Sequence, residues 1–172
     1  MDYKFWIAQI LGFIAMIFLA LSFRKNRKNN ILKYQNYSNA IMAIQYIFIE
    51  GYEGLAMYIM CLVRNFTYSR YKNGETPKVF FILILTLMIF LSMLTFKNIY
   101  SLLPLLGIGL NSYGLWQKKL KVTRRCELTS AVLVTIYNLI VRSYTGALTT
   151  GIEGVLTIIA IINYDILKRR KI

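Results

Sequence analysis

Residues 5–30 read FWIAQILGFIAMIFLALSF followed at once by RKNRKNN, and the join between these two runs decides the fold class. The first run, Phe5 to Phe23, carries no charge and is interrupted only by the polar Gln9 and Ser22. An α-helix of about 20 such residues crosses the hydrocarbon core of a bilayer. The second run places Arg24, Lys25, Arg27 and Lys28 directly behind it. A cleaved signal peptide has a shorter apolar run with its basic residues in front. The segment is therefore expected to remain as a first membrane span.

The same alternation continues along the chain. Apolar stretches are expected to span at about Ile31–Ile49, Gly54–Tyr71, Val79–Phe96, Tyr100–Gln117, Glu127–Val141 and Ala147–Leu167. The turns between them carry Glu50-Gly51-Tyr52-Glu53, Lys72 to Pro77, the basic stretch Lys118–Arg125, and Arg142 to Gly146. At about 20 residues per span, a chain of 172 residues has room for seven spans and little else. Composition agrees: 57% of the residues are hydrophobic, 16% are charged, and the mean hydropathy is +0.50. An ordinary soluble domain has less apolar and more charged sequence.

The net charge of +14 would suggest nucleic acid in a soluble protein. Its distribution points instead to a bilayer as the partner. Counted on alternate sides of seven spans, 17 Lys and Arg fall on one side, 3 (Lys4, Lys97, Arg142) on the other, and Arg64 lies within a span. Basic residues collect on the cytoplasmic side. The expectation is a multi-pass bacterial inner-membrane protein with its N-terminus outside and its C-terminus cytoplasmic, and with no nucleic-acid partner.

The sequence also resembles itself. Leu11-Gly12 parallels Leu106-Gly107, Ile49 to Gly54 parallels Val141 to Gly146, and Arg64-Asn65-Phe66 parallels Ile162-Asn163-Tyr164. The reading is an all-α membrane fold of two parallel three-helix repeats, residues 1–72 and 99–172, joined by a linker helix within 73–98. A linker of one span lets both repeats start on the same side of the membrane.

Charged and amide side chains at membrane depth mark function or structural pairing. Glu153 shares one face of the last span with Thr149, Thr150 and Thr157; it either lines a substrate site or carries protons, or it is a structural ion pair with Arg142 or a neutral, hydrogen-bonded packing residue. Arg64 and Asp165 lie at similar depth and are expected to pair, tying the repeats together or forming an inner gate. Asn39, Gln45, Asn111 and Asn138 are either hydrogen-bond glue between helices or ligand contacts. Gly107 and Gly114 read as close-packing positions. Pro104 is expected to kink the fifth span as a hinge, unless the span begins at it. Tyr46, Tyr58, Tyr113 and Tyr137 are deep enough to stack on a planar ligand.

What is absent narrows the function. There is no histidine, no Cys pair at metal or redox spacing, and no nucleotide-binding or hydrolase motif. An enzyme is not expected, and no cofactor or metal is implied. No lysine occurs between Ala147 and Leu167, which excludes a retinal Schiff base in that span.

The stretches Trp6-Ile7-Ala8-Gln9, Leu102 to Gly107, Tyr137-Asn138, Ser143 with Gly146, and Ile152-Glu153-Gly154 with Asn163 together resemble the bacterial inner-membrane YgjV family, in order along nearly the whole chain. That family is distantly similar to the SWEET sugar and PnuC vitamin transporters in its three-one-three helix plan. The resemblance implies a transporter-like fold and no particular substrate. The expected function is passage of a small polar or aromatic metabolite, such as a vitamin precursor or a sugar, by facilitated diffusion or ion coupling. Substrate contacts are expected from Glu153, Asn138, Asn111, Asn39, Gln45 and Tyr137, with Arg64, Asp165 and Pro104 serving as gate or structural pair. The alternative is a non-transporting accessory or sensor protein, whose polar interior would be consumed by helix–helix hydrogen bonds. Seven spans suffice for one pore, and a homo-oligomer is equally compatible with the sequence.

Overall fold

Backbone N–H and C=O groups inside an apolar run need partners, and a helix supplies them within the segment. The computed structural model describes residues 3–23, 28–71, 75–117 and 119–167. Among these, every expected span is a helix and no strand occurs. The helices are α1 (Tyr3–Phe23), α2 (Lys28–Phe48), α3 (Tyr52–Ser69), α4 (Lys78–Leu94), α5 (Leu102–Trp116), α6 (Leu120–Ile140) and α7 (Tyr144–Ala160). A 3-10 turn, Ile99–Ser101, leads into α5, and α7 continues as a π-helical segment, Ile161–Leu167. The basic runs 24–27, 72–74, Lys118 and 168–172 lie outside the described residues.

Two expectations are corrected. Helix α6 starts at Leu120, not Glu127, because Lys and Arg are good helix formers and the basic stretch winds into its first turns. Pro104 is the third residue of α5, where a first-turn N–H has no partner within the helix in any case, so it opens the helix instead of kinking its interior.

The helices form a ring. Helix α1 packs on α2, α2 on α3, α3 on α5, α5 on α6, α6 on α7, and α7 returns to α1. Helix α4 stands outside this ring against α3 and α5. Gly107 and Gly114 let α5 and α6 approach: a Cβ at either would come within 2.8 Å of Val134 or Cys126 on α6. On the opposite side, the seam between α1 and α7 has no helix over it and holds an apolar groove of about 200 Å³, lined by residues including Ile17, Ala20, Ile152 and Leu156.

Polarity is inverted relative to a soluble bundle. Gln45, Asn138, Ser22 and Ser143 are completely buried, whereas Ile44, Ile59, Val132 and Val155 on the outer faces are exposed. This inversion suits an apolar surrounding. It also explains why only Tyr3–Ser22 and Tyr144–Leu167 are by themselves long and apolar enough to cross a membrane, with the apolar Lys78–Leu94 somewhat short. Helices α2, α3 and α6 place Gln35, Arg64 or Glu127 on their inward faces, which lowers the hydropathy of the whole helix while its outer face stays apolar.

Two turns at one end of the ring share a geometry. Glu50 and Arg142 both adopt positive φ, 55° and 58°. The residues after them, Gly51 (φ −87°, ψ 64°) and Ser143 (φ −84°, ψ 71°), start α3 and α7. Gly51 N–H donates to Tyr46 O at 3.0 Å, and Ser143 N–H to Asn138 O at 2.8 Å. Leu55 N–H donates to Gly51 O, and Ala147 N–H to Ser143 O. Each bond at residue i recurs at i + 92. The left-handed conformation strains any residue with a Cβ by about 1–2 kcal/mol. Glu50→Gly and Arg142→Gly are therefore expected to raise the melting temperature of the detergent-solubilised protein, each by up to about 1 kcal/mol in stability; a fall in both would show that the side chains support the turns.

Candidate functional site

The two turns are held by side chains from the opposite half of the ring. Gln45 on α2 donates from Nε2 to Ser143 Oγ (2.9 Å) and Thr145 Oγ1 (3.3 Å) in the α6–α7 turn. Tyr137 on α6 donates to Glu53 (3.2 Å), at the start of α3, and accepts from Gly54 N–H (3.2 Å). Two further residues complete the arrangement: Gln9 Oε1 accepts from Thr145 N–H at 3.0 Å, and Ser101 Oγ donates to Glu53 Oε1 at 2.9 Å. Glu53 is only 5% exposed, so the residue expected in an acidic surface turn is a buried acceptor.

One turn deeper lies an aromatic layer. Tyr46 is fully buried, stacks on Tyr58 with ring centroids 5.4 Å apart, and lies 6.2 Å from Tyr137. Its hydroxyl donates to Asn138 Oδ1 across the ring, and Asn138 Nδ2 donates to Thr150 Oγ1 at 3.4 Å. Thr135 and Thr150 hydroxyls meet at 2.7 Å. Gly54 is small because Tyr46 occupies the space its Cβ would need.

Below this layer is a cavity of about 90 Å³, enough for roughly half a dozen waters. All six ring helices line it and α4 does not. Met42 and Tyr58 form its upper wall, and Gln35, Leu115 and Glu127 lie toward the basic end. The i + 92 relation holds here too: Gln35 and Glu127, Ser38 and Ser130, Met42 and Val134, Tyr58 and Thr150, and Cys61 and Glu153 all face the same space.

Besides Tyr58 and Cys61, three ionisable side chains share the cavity: Arg64, Glu127 and Glu153. Arg64 is 4% exposed and is held by neutral groups. Its Nε and Nη2 donate to Asn65 Oδ1 (3.1 and 3.0 Å), and its Nη1 donates to Asn111 Oδ1 (2.8 Å) and Ser112 Oγ (3.1 Å). The carboxyl groups of Glu127 and Glu153 make no hydrogen bond or ion pair with a described residue. Asn65 is 1% exposed, and its Nδ2 donor has no partner.

The expected pair of Arg64 with Asp165 is not formed. Asp165, on the π-helical segment, pairs with Arg124 at the basic end, with Arg124 Nε donating to Oδ2 at 3.1 Å. The π-helical segment sets Asp165 beside the first turns of α6, which already carry a cation at the right depth. Arg142 is not a partner of Glu153; its carbonyl accepts from Gln9 Nε2 at 3.2 Å. Of the expected substrate contacts, Glu153, Asn111 and Asn39 line the cavity, whereas Gln45, Tyr137 and Asn138 are taken up in the closure above it. Tyr113 is on the outer face beside Phe81 and Trp116 and cannot reach the cavity. Glu127, Asn65 and Cys61 were missed as site residues. Glu127, Ser130, Ala131 and Val134 stand at helical spacing on one face, which was the available signal.

The chain belongs to the Imp-YgjV family of bacterial inner membrane proteins, whose family model matches residues 6–171. No curated protein and no solved structure matches the chain.

The Tyr46–Asn138 contact is testable as a coupled pair. Asn138→Ala removes the acceptor of a hydroxyl with no route to solvent, and a stability loss of about 1–3 kcal/mol is expected by thermal unfolding. Adding Tyr46→Phe removes the orphaned donor, so the double variant should lose less than the two single losses combined. Strict additivity would show that the two side chains do not interact.

Proposed function

We propose that this inner-membrane protein carries a small polar metabolite across the bilayer through the cavity at the centre of its six-helix ring. The observation that carries the reading is a cavity with unpartnered polar groups at membrane depth, capped at one end by the Tyr46–Tyr58–Tyr137 layer. Polar groups kept in a bundle interior without protein partners are costly, and a substrate path is a reason to retain them. An accessory or sensor protein would be expected to consume its interior polarity in helix–helix bonds. That happens at the turn end and not in the cavity.

In this reading all seven helices cross the membrane, with the basic end cytoplasmic and the hydrogen-bonded turns outside. The cavity is then an inward-facing state. The recurrence of bonds and cavity positions at i + 92 supports two three-helix units, α1–α3 and α5–α7, related by an axis along the membrane normal, with α4 as the linker. Rocking of one unit against the other would break the crossed contacts of Gln45 and Tyr137 and open the outer end. No nucleotide-binding motif is present in the sequence, so the energy source is the substrate gradient or a coupled ion.

Cys61 lines the cavity as a free thiol and reports access. In a Cys126→Ala background, a membrane-impermeant methanethiosulfonate reagent is expected to modify Cys61 quickly in inverted vesicles and slowly, but to completion, when added to intact spheroplasts. Reaction from the cytoplasmic side alone, with none from outside over long exposure, would favour a static sensor or accessory protein. No reaction from either side would remove the cavity as a path.

A further inference from the structure

We infer that the cavity takes a small organic cation, a protonated amine that also carries a neutral oxygen acceptor; the inference rests on the reading of the cavity as a substrate path. The charges in the cavity do not balance. Arg64 contributes one cation, and Glu127 and Glu153 contribute two carboxylates, leaving a surplus of one negative charge when all are ionised. Burying an unbalanced charge is expensive; a proton on one carboxyl or a single ligand cation removes the imbalance, and of the two the cation is the one that leaves both carboxylates as acceptors.

Hydrogen bonding gives the second constraint. Arg64 is bound to amide and hydroxyl oxygens of Asn65, Asn111 and Ser112, not to either carboxylate. Both carboxylates are thus left as acceptors with no described residue donating to them. A protonated amine supplies up to three donors at a point, which matches two carboxylates better than a neutral hydroxyl does. Asn65, almost wholly buried, keeps Nδ2 as a donor without a partner. That donor asks for an acceptor on the same ligand, and a neutral one preserves the charge balance.

The third constraint is the wall. Tyr58 lines the cavity, and its hydroxyl makes no hydrogen bond to a described residue. An aromatic ring lining the same cavity as two carboxylates favours an organic ammonium, through attraction of the cation to the ring. The donor and acceptor groups also divide between the two units of the ring. Arg64 and Asn65 come from α3, Glu127 from α6 and Glu153 from α7, so a ligand with an amine at one end and an oxygen at the other bridges the axis.

The thiol of Cys61 reads the electrostatic field at this site. In Cys126→Ala inverted vesicles, the rates of Cys61 modification by cationic and anionic methanethiosulfonate reagents are each divided by their rates with free 2-mercaptoethanol. The corrected ratio is expected to favour the cation by about tenfold or more. It should fall toward unity in Glu127→Gln and in Glu153→Gln, each checked for folding by size exclusion, and stay unchanged in the exposed-turn variant Glu50→Gln. Ethanolamine should slow the modification, and equal concentrations of sodium chloride or glucose should not. A ratio at or below unity, a ratio indifferent to both carboxylate variants, or no protection by ethanolamine would overturn the inference. Equal protection by sodium would do the same and assign the site to an inorganic cation. All of these leave the path standing, whereas failure of Cys61 to react from the cytoplasmic side removes the path itself.

Discussion

The structure depends on a crossed exchange of hydrogen bonds at one end of the ring. Gln45 leaves its own helix to hold the α6–α7 turn, and Tyr137 leaves its own helix to hold the α2–α3 turn. In an apolar surrounding there is no hydrophobic drive to press helices together, and close packing with interhelical hydrogen bonds has to do that work. These bonds sit where α2, α3, α6 and α7 begin or end, so they fix the register of four helices at once. The aromatic layer beneath follows from them: Tyr46 is next to Gln45 in the chain, Tyr137 is itself a crossed residue, and both rings are buried inside the bundle. The cavity exists because the layer stops the packing there.

The energetic contrast between the two halves of the interior is sharp. Above the aromatic layer, among the buried side-chain polar atoms of the described residues, Gln45 Oε1 is the one without a partner. Below it, Arg64 is clamped by neutral oxygens while two carboxylates and the Asn65 amide are left open. A protein that only needed to pack would pair the guanidinium with a carboxylate, since both already face the same space. Keeping them apart holds Arg64 rigid and leaves the acidic side available.

The helices were legible because a membrane span is a local property: an uncharged run such as Phe5–Phe23 needs no knowledge of the rest of the chain. The repeated turns were legible for the same reason, since Ile49–Gly54 and Val141–Gly146 carry their geometry in adjacent residues. Pairing was not. Arg64 and Asp165 match in depth, but which helix faces which is set by the order of packing around the ring, and the sequence does not state that α6 lies between α5 and α7. The same gap hid the division of labour among the amides. Asn111 and Asn138 look alike as isolated polar residues on apolar helices, yet one lines the cavity and the other is bound to Tyr46 across the ring. Glu127 was hidden by its neighbours: next to the basic stretch Lys118–Arg125 it read as the first residue of its span, while the helix had already begun at Leu120.

Helix α4, packed on one side only, makes the ring mechanically lopsided. Helix α4 splints the seam between α3 and α5, while the matching seam between α7 and α1 is closed only by side chains over an apolar groove. Leu19 and Thr149 border both that groove and the cavity, so the wall there is one residue thick. A ring built this way has a spine and a fore-edge. In the proposed transport reading, stress on the bundle concentrates at the unsplinted side, where acyl chains would stand in for the missing helix, so membrane thickness and fluidity would bear directly on how readily the two halves part.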